Sequence, residues 1–167
     1  VEEAGKDYVG VTMDCGNAMW AIEEAFVNLE HLGPYAVTTG MRDNLMWDSE
    51  QGAFTAWTNI GEGQIDWNAY LDRYQQLCPN TAFILEIISG AVREFPYFKP
   101  EFWNGFPKAK ASEFARFVAM AKKGKPFEHS PNRPAGERSP ELTRLQQQYD
   151  LEQSLKYCKE NLGLGLK

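Results

Sequence analysis

The segment spanning residues 8–17 is a nearly uninterrupted apolar run that ends at a carboxylate. Val9, Val11 and Met13 supply its large side chains, and Asp14 follows them directly. A run of this kind is typical of a short parallel strand that is covered on both faces. An acid at the carboxyl end of such a strand lies where α/β barrels and doubly wound sheets hold their chemistry. Asp14 is an equally good cap for a following helix, so its position leaves both roles open.

Two helical patterns follow this strand, each with a recognisable start. Residues 18–32 place apolar side chains at helical spacing, with Asn17 as the expected N-cap and Gly33 as the stop. Asp66 is the expected cap of a second helix, which ends before Pro79. Both helices therefore have an apolar face that requires a sheet or another helix to cover it.

Three segments, residues 8–13, 35–39 and 82–87, are strand-like, and the two helices separate them. The order strand, helix, strand, helix, strand predicts an α/β fold with three parallel βα units, whose strands are adjacent in that order. Glu86 is the one charge inside the third apolar run. A carboxylate in such a run needs a partner, a metal or a water-lined site.

The connections carry weaker signals. Residues 45–63 are long for a connection, and strand-like residues 53–58 predict a small hairpin within them. Residues 93–107 are crowded with aromatic side chains and prolines, and we interpret them as an ordered loop packed across a surface. Residues 111–123 have the apolar spacing of a helix.

The prolines and glycine after residue 124 predict a linker before a last helix. We expect residues 1–124 to form the sheet-containing domain, residues 125–138 a linker rich in proline, and residues 139–167 a C-terminal helix. Ser139 is a good cap for this helix, and Pro140 suits its first position. Its expected buried stripe consists of Leu151, Leu155, Cys158 and Leu162.

Charged residues gather at the predicted strand ends. The second strand runs out at Arg42 and Asp43, and the third contains Glu86. Because parallel strands end on the same side of a sheet, we expect these residues and Asp14 to face one pocket. Carboxylates gathered in this way suit a hard or borderline divalent cation. Their other use is acid–base chemistry, in which one carboxylate takes a proton from carbon.

Four motifs follow one another along the chain. They are residues 9–17, residues 37–43, the segment from Gly61 to Trp67, and the pair Leu85-Glu86. In this order they resemble the sixth strand, seventh strand, seventh helix start and eighth strand of the sugar phosphate isomerase/epimerase superfamily. These proteins are xylose isomerase-like (β/α)8 TIM barrels. The resemblance covers residues 8–90 and implies the C-terminal part of such a barrel, followed by a helical extension.

The resemblance implies a divalent metal site for Mn, Mg, Co or Zn, with Asp14 and Glu86 as ligands. Glu86 is then also the catalytic acid and base. Asn17 stands where many relatives have a histidine that contacts substrate, so it is assigned to substrate binding together with Arg42 and Asp43. These residues together make up the expected active site of the family.

The chain departs from the family pattern at Gly40, where relatives carry the ligand histidine of a His-x-(Lys/Arg)-Asp run. The two histidines of the chain are His31 and His129. His31 lies on the first predicted helix, where a surface role is expected. His129 lies in the predicted linker, from which it can fold back over the site.

Two of the candidate residues have a second interpretation. The donor fork of Arg42 suits a substrate hydroxyl or phosphate, and a salt bridge to Asp43 or Glu62 is an equally good use of it. Trp57 is assigned to substrate binding because aromatic faces stack on sugar rings. Packing within the protein is the more common use of such a side chain.

Charge and cysteine usage narrow the class of partner. A formal net charge of −6 argues against nucleic acid, and no segment is long and apolar enough to span a membrane. Cys15, Cys78 and Cys158 are odd in number and lack metal-ligand spacing. A reducing compartment is therefore favoured, and we expect a cytoplasmic protein.

The expected function is a divalent-metal-dependent enzyme that acts on a small carbohydrate by isomerisation, epimerisation or lyase-type proton abstraction next to a carbonyl. The alternative is a non-catalytic barrel subunit or scaffold that has lost its ligand histidine. An activity like that of endonuclease IV is disfavoured because the chain lacks the several histidines and the basic face it requires. Three βα units cannot close a barrel, which takes ~250 residues, so we expect an N-terminal barrel half or another chain, and an oligomer.

Overall fold

A computed structural model of the chain describes residues 1–88, 90–126 and 139–165. The helices and strands within these ranges make a mixed α/β structure. The strands are β1 (Val11–Met13), β2 (Ala36–Thr39), β3 (Asp43–Ser49), β4 (Gly52–Thr58) and β5 (Val92–Phe95). The α-helices are α1 (Ala25–Leu32), α2 (Trp67–Leu77), α3 (Ala111–Lys123) and α4 (Pro140–Leu162), and 3-10 turns span Cys15–Ala21, Gly33–Tyr35 and Pro100–Gly105.

The parallel sheet is smaller than the sequence predicts. β1 and β2 pair in parallel, as expected, but the third segment contributes a single parallel bridge, between Met41 and Leu85. Side-chain hydroxyls replace the missing ladder, because Thr39 Oγ1 donates to the Ala82 carbonyl at 2.9 Å and accepts from the Ile84 amide at 2.9 Å. The prediction of three parallel βα units is therefore not met within the described residues, which show two parallel strands, one bridge and no barrel.

The second sheet is antiparallel and follows directly from the first. β3 and β4 form the hairpin expected within residues 45–63, in register from Asp43 opposite Thr58 to Ser49 opposite Gly52. β5 then pairs with β4, so the aromatic stretch expected to be a loop begins with a strand. This sheet brings Trp57 to the edge of the parallel pair, where the predicted site lies.

The predicted helix over residues 18–32 is two elements. Asp14, and not Asn17, caps the first turn, because its Oδ1 accepts a hydrogen bond from the Asn17 amide. The 3-10 turn closes at Ile22, which adopts a left-handed conformation with φ of 54°. Glu24 Oε1 then accepts from the Phe26 amide at 3.2 Å and starts α1. The apolar spacing is continuous across this break, which explains why the sequence predicts one helix.

The other helix starts are confirmed. Asp66 Oδ1 accepts from the Ala69 amide at 3.2 Å at the start of α2, and α3 spans residues 111–123 as predicted. Ser139 Oγ accepts from the Leu142 amide at 3.1 Å at the start of α4. Most of the predicted linker, residues 127–138 with His129, lies outside the described residues.

The buried stripe predicted for α4 is wrong at two positions. Leu155 is 52% exposed and Leu151 37% exposed, whereas Asp150 and Ser154 are buried together with Cys158. The reason is a polar partner: Ser154 Oγ accepts from the Ile60 amide at 3.3 Å. A tertiary hydrogen bond therefore sets which face of this helix packs against the turn after β4.

Two apolar cores support the two sheets. The first joins α1 and α2 to the parallel pair around Leu29, Trp67 and Tyr70, and the second joins α3 to the antiparallel sheet around Met46 and Phe117. All three cysteines are buried and free. Some large apolar side chains in and beside the predicted strand segments remain exposed, namely Val9, Val37, Ile84 and Ile88. The need for a further chain or barrel half stays a prediction, which light scattering of the 167-residue chain tests.

Candidate functional site

An ion pair between Asp14 and Arg42 lies at the carboxyl ends of the parallel strands. Asp14 follows β1, and Arg42 follows Met41, the residue that bridges to the third segment. Arg42 Nη2 lies 2.5 Å from Asp14 Oδ2, and Nε lies 3.3 Å from Oδ1. Their side chains are only 7% and 14% exposed. The fold therefore brings together two candidate residues that are 28 positions apart in the chain.

Asn17 completes the surroundings of the Asp14 carboxylate. Its backbone amide donates to Oδ1 at 3.1 Å, and its side-chain Nδ2 donates to Oδ2 at 2.9 Å. Asp14 therefore caps a turn, one of the two roles left open by the sequence, and also pairs with Arg42, while its role in a chemical site stays a prediction. Among the described residues, Asn17 Oδ1 and Arg42 Nη1 are buried without a hydrogen-bond partner.

Trp57 packs against the other side of Arg42. The guanidinium carbon lies 4.2 Å from the centre of the indole ring, a cation–π contact. The indole nitrogen donates to the Gly16 carbonyl at 3.2 Å, which fixes the plane of the ring. Cys15 Sγ donates to the Arg42 carbonyl at 3.2 Å and holds the backbone of the same residue.

Gly16 is required for this arrangement. A Cβ atom at this position would lie 2.5 Å from Arg42 Cγ and 3.0 Å from the Arg42 carbonyl oxygen. Sequence reasoning missed the roles of Cys15 and Gly16. Both residues directly follow Asp14 at the end of β1, and this position in the sequence could have indicated that they support the cluster.

Glu86 lies beside this pair and is partly exposed. Its amide donates to the Met41 carbonyl at 2.8 Å, which fixes it in the parallel bridge. Burial raises the pKa of Asp14 above its usual value, while Arg42 and the Asn17 amide act in the opposite direction and the charge of Glu86 raises it further. The charge of Glu86 therefore reaches the Asp14 carboxylate.

Glu86 Oε2 also lies over Gly40, where an added Cβ atom would be 3.3 Å away. The larger side chain of a histidine at position 40 would consequently contact the Glu86 carboxylate. Position 40, where the resemblance implies a ligand histidine, therefore lies next to Glu86 in this fold.

Asp43 lies outside this cluster and is completely buried. Its carboxylate accepts hydrogen bonds from the amides of Gly61, Gly63 and Ile65 and from the Trp67 indole nitrogen, at 2.6–3.2 Å. Burial raises its pKa to about 6, although these donors act in the opposite direction. The sequence places Asp43 with the substrate-binding residues, whereas the structure engages it with the loop before α2.

The donor set does not fit the expected divalent metal. Both oxygens of Asp14 already accept hydrogen bonds from Arg42 and Asn17, and Glu86 is the partly exposed carboxylate beside them. Within the described residues, no three side chains of the His, Cys, Asp and Glu types gather around a point that could hold an ion. His31 lies on α1, 3.6 Å from Glu113, and is not part of the site.

A separate cavity of about 400 Å³ lies between the first 3-10 turn and the start of α3. Ile22, Phe106 and Phe114 form apolar parts of its wall, and Lys110 and Glu113 form a polar part. The cluster around Asp14 does not line this cavity. This cavity is therefore separate from the candidate site.

Comparison with family models, with curated proteins and with solved structures found no match to this chain. The resemblance to the sugar phosphate isomerase/epimerase superfamily consequently stays a prediction. Of the helices in the described parts of the chain, none has the length and apolarity needed to cross a membrane.

Proposed function

We propose that the cluster of Asp14, Asn17, Arg42, Trp57 and Glu86 binds a sugar or sugar derivative and transfers a proton next to its carbonyl group. The observation that supports this most directly is a partly exposed carboxylate, Glu86, beside a buried and fully oriented Asp14–Arg42 pair. This arrangement stands at the carboxyl ends of parallel strands, where α/β folds hold their ligands. The reaction class is isomerisation, epimerisation or a related lyase-type cleavage.

In this proposal Glu86 is the acid and base. Its carboxylate takes the proton from the carbon next to the carbonyl and returns it to the same or the neighbouring carbon. Negative charge develops on the carbonyl oxygen during the first transfer, and a guanidinium offsets such charge well. Arg42 has this role, with Nη1 as the donor that has no partner within the described residues.

Asn17 and Trp57 orient the ligand. Asn17 Oδ1 is an acceptor that a hydroxyl group can satisfy. The Trp57 ring offers an apolar face, which suits the carbon skeleton of a sugar ring. The predicted divalent metal does not fit the donors as arranged, so no step of this proposal runs through it.

A non-catalytic subunit is the second candidate, and one observation favours it. Arg42 occupies the carboxylate that the family uses as a metal ligand, and Gly40 stands in place of the ligand histidine. A barrel subunit or scaffold that has lost its ligand histidine would have this arrangement.

Hydrogen exchange separates the two candidates. The chain is incubated in D2O with a panel of aldoses and ketoses, and deuterium at the carbon next to the carbonyl is measured by NMR. We expect exchange with at least one sugar, and we expect Glu86→Gln to slow it by about 10²–10⁴-fold. Glu94→Gln is the matched control, since Glu94 is an exposed acid that contacts Ser49.

Saturation-transfer NMR on the same panel completes the test. Sugar binding without exchange would establish the non-catalytic candidate. An absence of both binding and exchange across the panel would overturn the proposal that this cluster is a carbohydrate site.

A further inference from the structure

We propose that Arg42 is the built-in cation of this site and takes the place of a divalent metal beside Asp14. The inference concerns the same site as the proposed function. Its statement about the metal depends only on the contacts of Arg42, whereas its statement about the ligand rests on the proposed function. Its chemical content is that the positive charge is a permanent part of the chain. The site then operates on a neutral, polyhydroxylated ligand in the absence of added metal.

Both oxygens of the Asp14 carboxylate already accept hydrogen bonds from protein groups. Arg42 donates to both oxygens, and Asn17 donates to both from its backbone and its side chain. A divalent ion would have to displace the guanidinium from at least one oxygen. The displaced guanidinium would then lie next to the ion, and two like charges repel strongly at such a separation when water is excluded.

Arg42 is enclosed by three neighbouring residues. Trp57 covers one face of the guanidinium at 4.2 Å, Gly16 lies against the aliphatic stem, and Cys15 holds the backbone carbonyl. The residue is 5% exposed. By contrast, Arg73 pairs with Glu30 at 2.5 Å on the surface, where both side chains are more than one-third exposed. Of these two arginines, Arg42 is enclosed by the protein and Arg73 is open to solvent.

The formal charges of the acids and of the arginine in this cluster also bear on the choice of ligand. Asp14 and Glu86 carry two formal negative charges, and Arg42 supplies one positive charge between the strand ends. The remaining negative charge belongs to the partly exposed Glu86, the group that the proposed reaction requires in its ionised form. Because the cluster keeps one net negative charge, it attracts an anionic ligand only weakly. Hydroxyl groups, by contrast, can donate to Glu86 and Asn17 and accept from Arg42.

The test uses Mn²⁺ alone, without a sugar, on the full chain. The ion is added in equimolar amount, and its paramagnetic broadening of amide signals is followed by NMR while its affinity is measured by calorimetry. We expect the wild type to show no selective broadening at Asp14, Asn17 and Glu86. Selective broadening there, with tight binding that Asp14→Asn abolishes, would overturn the inference.

Variants of Arg42 sharpen the result. Arg42→Gln removes the charge and leaves Asp14 to the ion, so we expect the Mn²⁺ affinity to rise at least about tenfold. Arg42→Lys retains the charge and should bind Mn²⁺ no better than the wild type. Arg73→Gln is the control for loss of an arginine elsewhere, and the double variant D14N/R42Q should lose the gain.

Circular dichroism establishes that each variant is folded. A folded Arg42→Gln chain with unchanged Mn²⁺ affinity would contradict the inference. If that variant does not fold, the wild-type and Arg42→Lys titrations decide the question. The proposed carbohydrate function can fail its exchange experiment without changing any of these outcomes.

Discussion

Asp14 and Asp43 are two buried aspartates near the ends of parallel-sheet segments, yet the fold uses them differently. Asp14 faces a guanidinium and one polar side chain, and two polar atoms next to it lack partners within the described residues. Asp43 faces only N–H groups, most of them from the loop that follows β4. A carboxylate that meets a cation beside unsatisfied groups is a candidate for a binding site, whereas one surrounded by backbone donors stabilises a loop.

The largest effect is expected from removing the loop carboxylate. Asp43→Ala leaves the Gly61, Gly63 and Ile65 amides and the Trp67 indole without their acceptor in a buried position. We expect a loss of about 3–5 kcal/mol in the free energy of unfolding, measured by urea denaturation.

Asp48→Ala is the matched control for that measurement, because Asp48 is an exposed aspartate of the same strand. It should leave the free energy of unfolding unchanged. A loss for Asp43→Ala no larger than that of the control would show that the loop does not depend on this carboxylate.

The next effect is a pH dependence that belongs to Asp43. Its pKa in the folded state, about 6, lies above the ordinary value of 3.8, so the folded state binds the proton more tightly. The corresponding stability is fully present below pH 3.8 and is lost as the pH rises through about 6. We expect the free energy of unfolding of the wild type, relative to Asp43→Asn, to fall by about 2–3 kcal/mol across this window.

A ¹³C NMR titration of the Asp43 carboxyl carbon gives the same quantity directly. A midpoint below pH 4 would show that the converging N–H donors outweigh burial, since donors favour the ionised form. Asp14 and Asp43 would then differ only in the charge of their partners, since Asp14 faces a guanidinium and Asp43 faces neutral N–H groups.

The third effect concerns the ion pair of the site. In a double-mutant cycle, Asp14→Asn and Arg42→Met should show a coupling of about 1–3 kcal/mol, because the pair is buried and each partner is left uncompensated without the other. The cycle of Glu30→Gln and Arg73→Met on the exposed surface pair should show a much smaller coupling. Equal couplings would contradict the distinction between an enclosed and a solvated arginine.

Local signals predicted the helices better than the sheet. Asp66 and Ser139 cap α2 and α4 as expected, because a cap depends on residues within one turn. The third parallel strand was not predictable in this way. The Thr39 hydroxyl, more than 40 residues away along the chain, takes backbone groups that a strand would have paired.

The sequence predicted that most of these residues lie close together, but not which of them pair, and their role as a functional site stays a prediction. Asp14, Asn17, Arg42 and Glu86 do come together, since the ends of parallel strands meet at one edge. The sequence offered Asp43 and Glu62 as nearer partners for Arg42, and nothing in it shows that the loop donors engage Asp43. Which acid meets the arginine is therefore decided by tertiary structure.

The smallest effect is expected at Gly16, which separates the geometry of the site from the stability of the fold. In Gly16→Ala the new Cβ atom meets Arg42 Cγ at 2.5 Å and the Arg42 carbonyl oxygen at 3.0 Å, so Arg42 has to shift, at a cost of about 1–2 kcal/mol. The guanidinium should then leave the Trp57 ring, which we expect to change the tryptophan fluorescence and to open Asp14 to Mn²⁺. Gly105→Ala is the control, since nothing lies within 4 Å of its Cβ position. If Gly16→Ala kept both the fluorescence and the metal response of the wild type, the close approach at Gly16 would not be what positions Arg42.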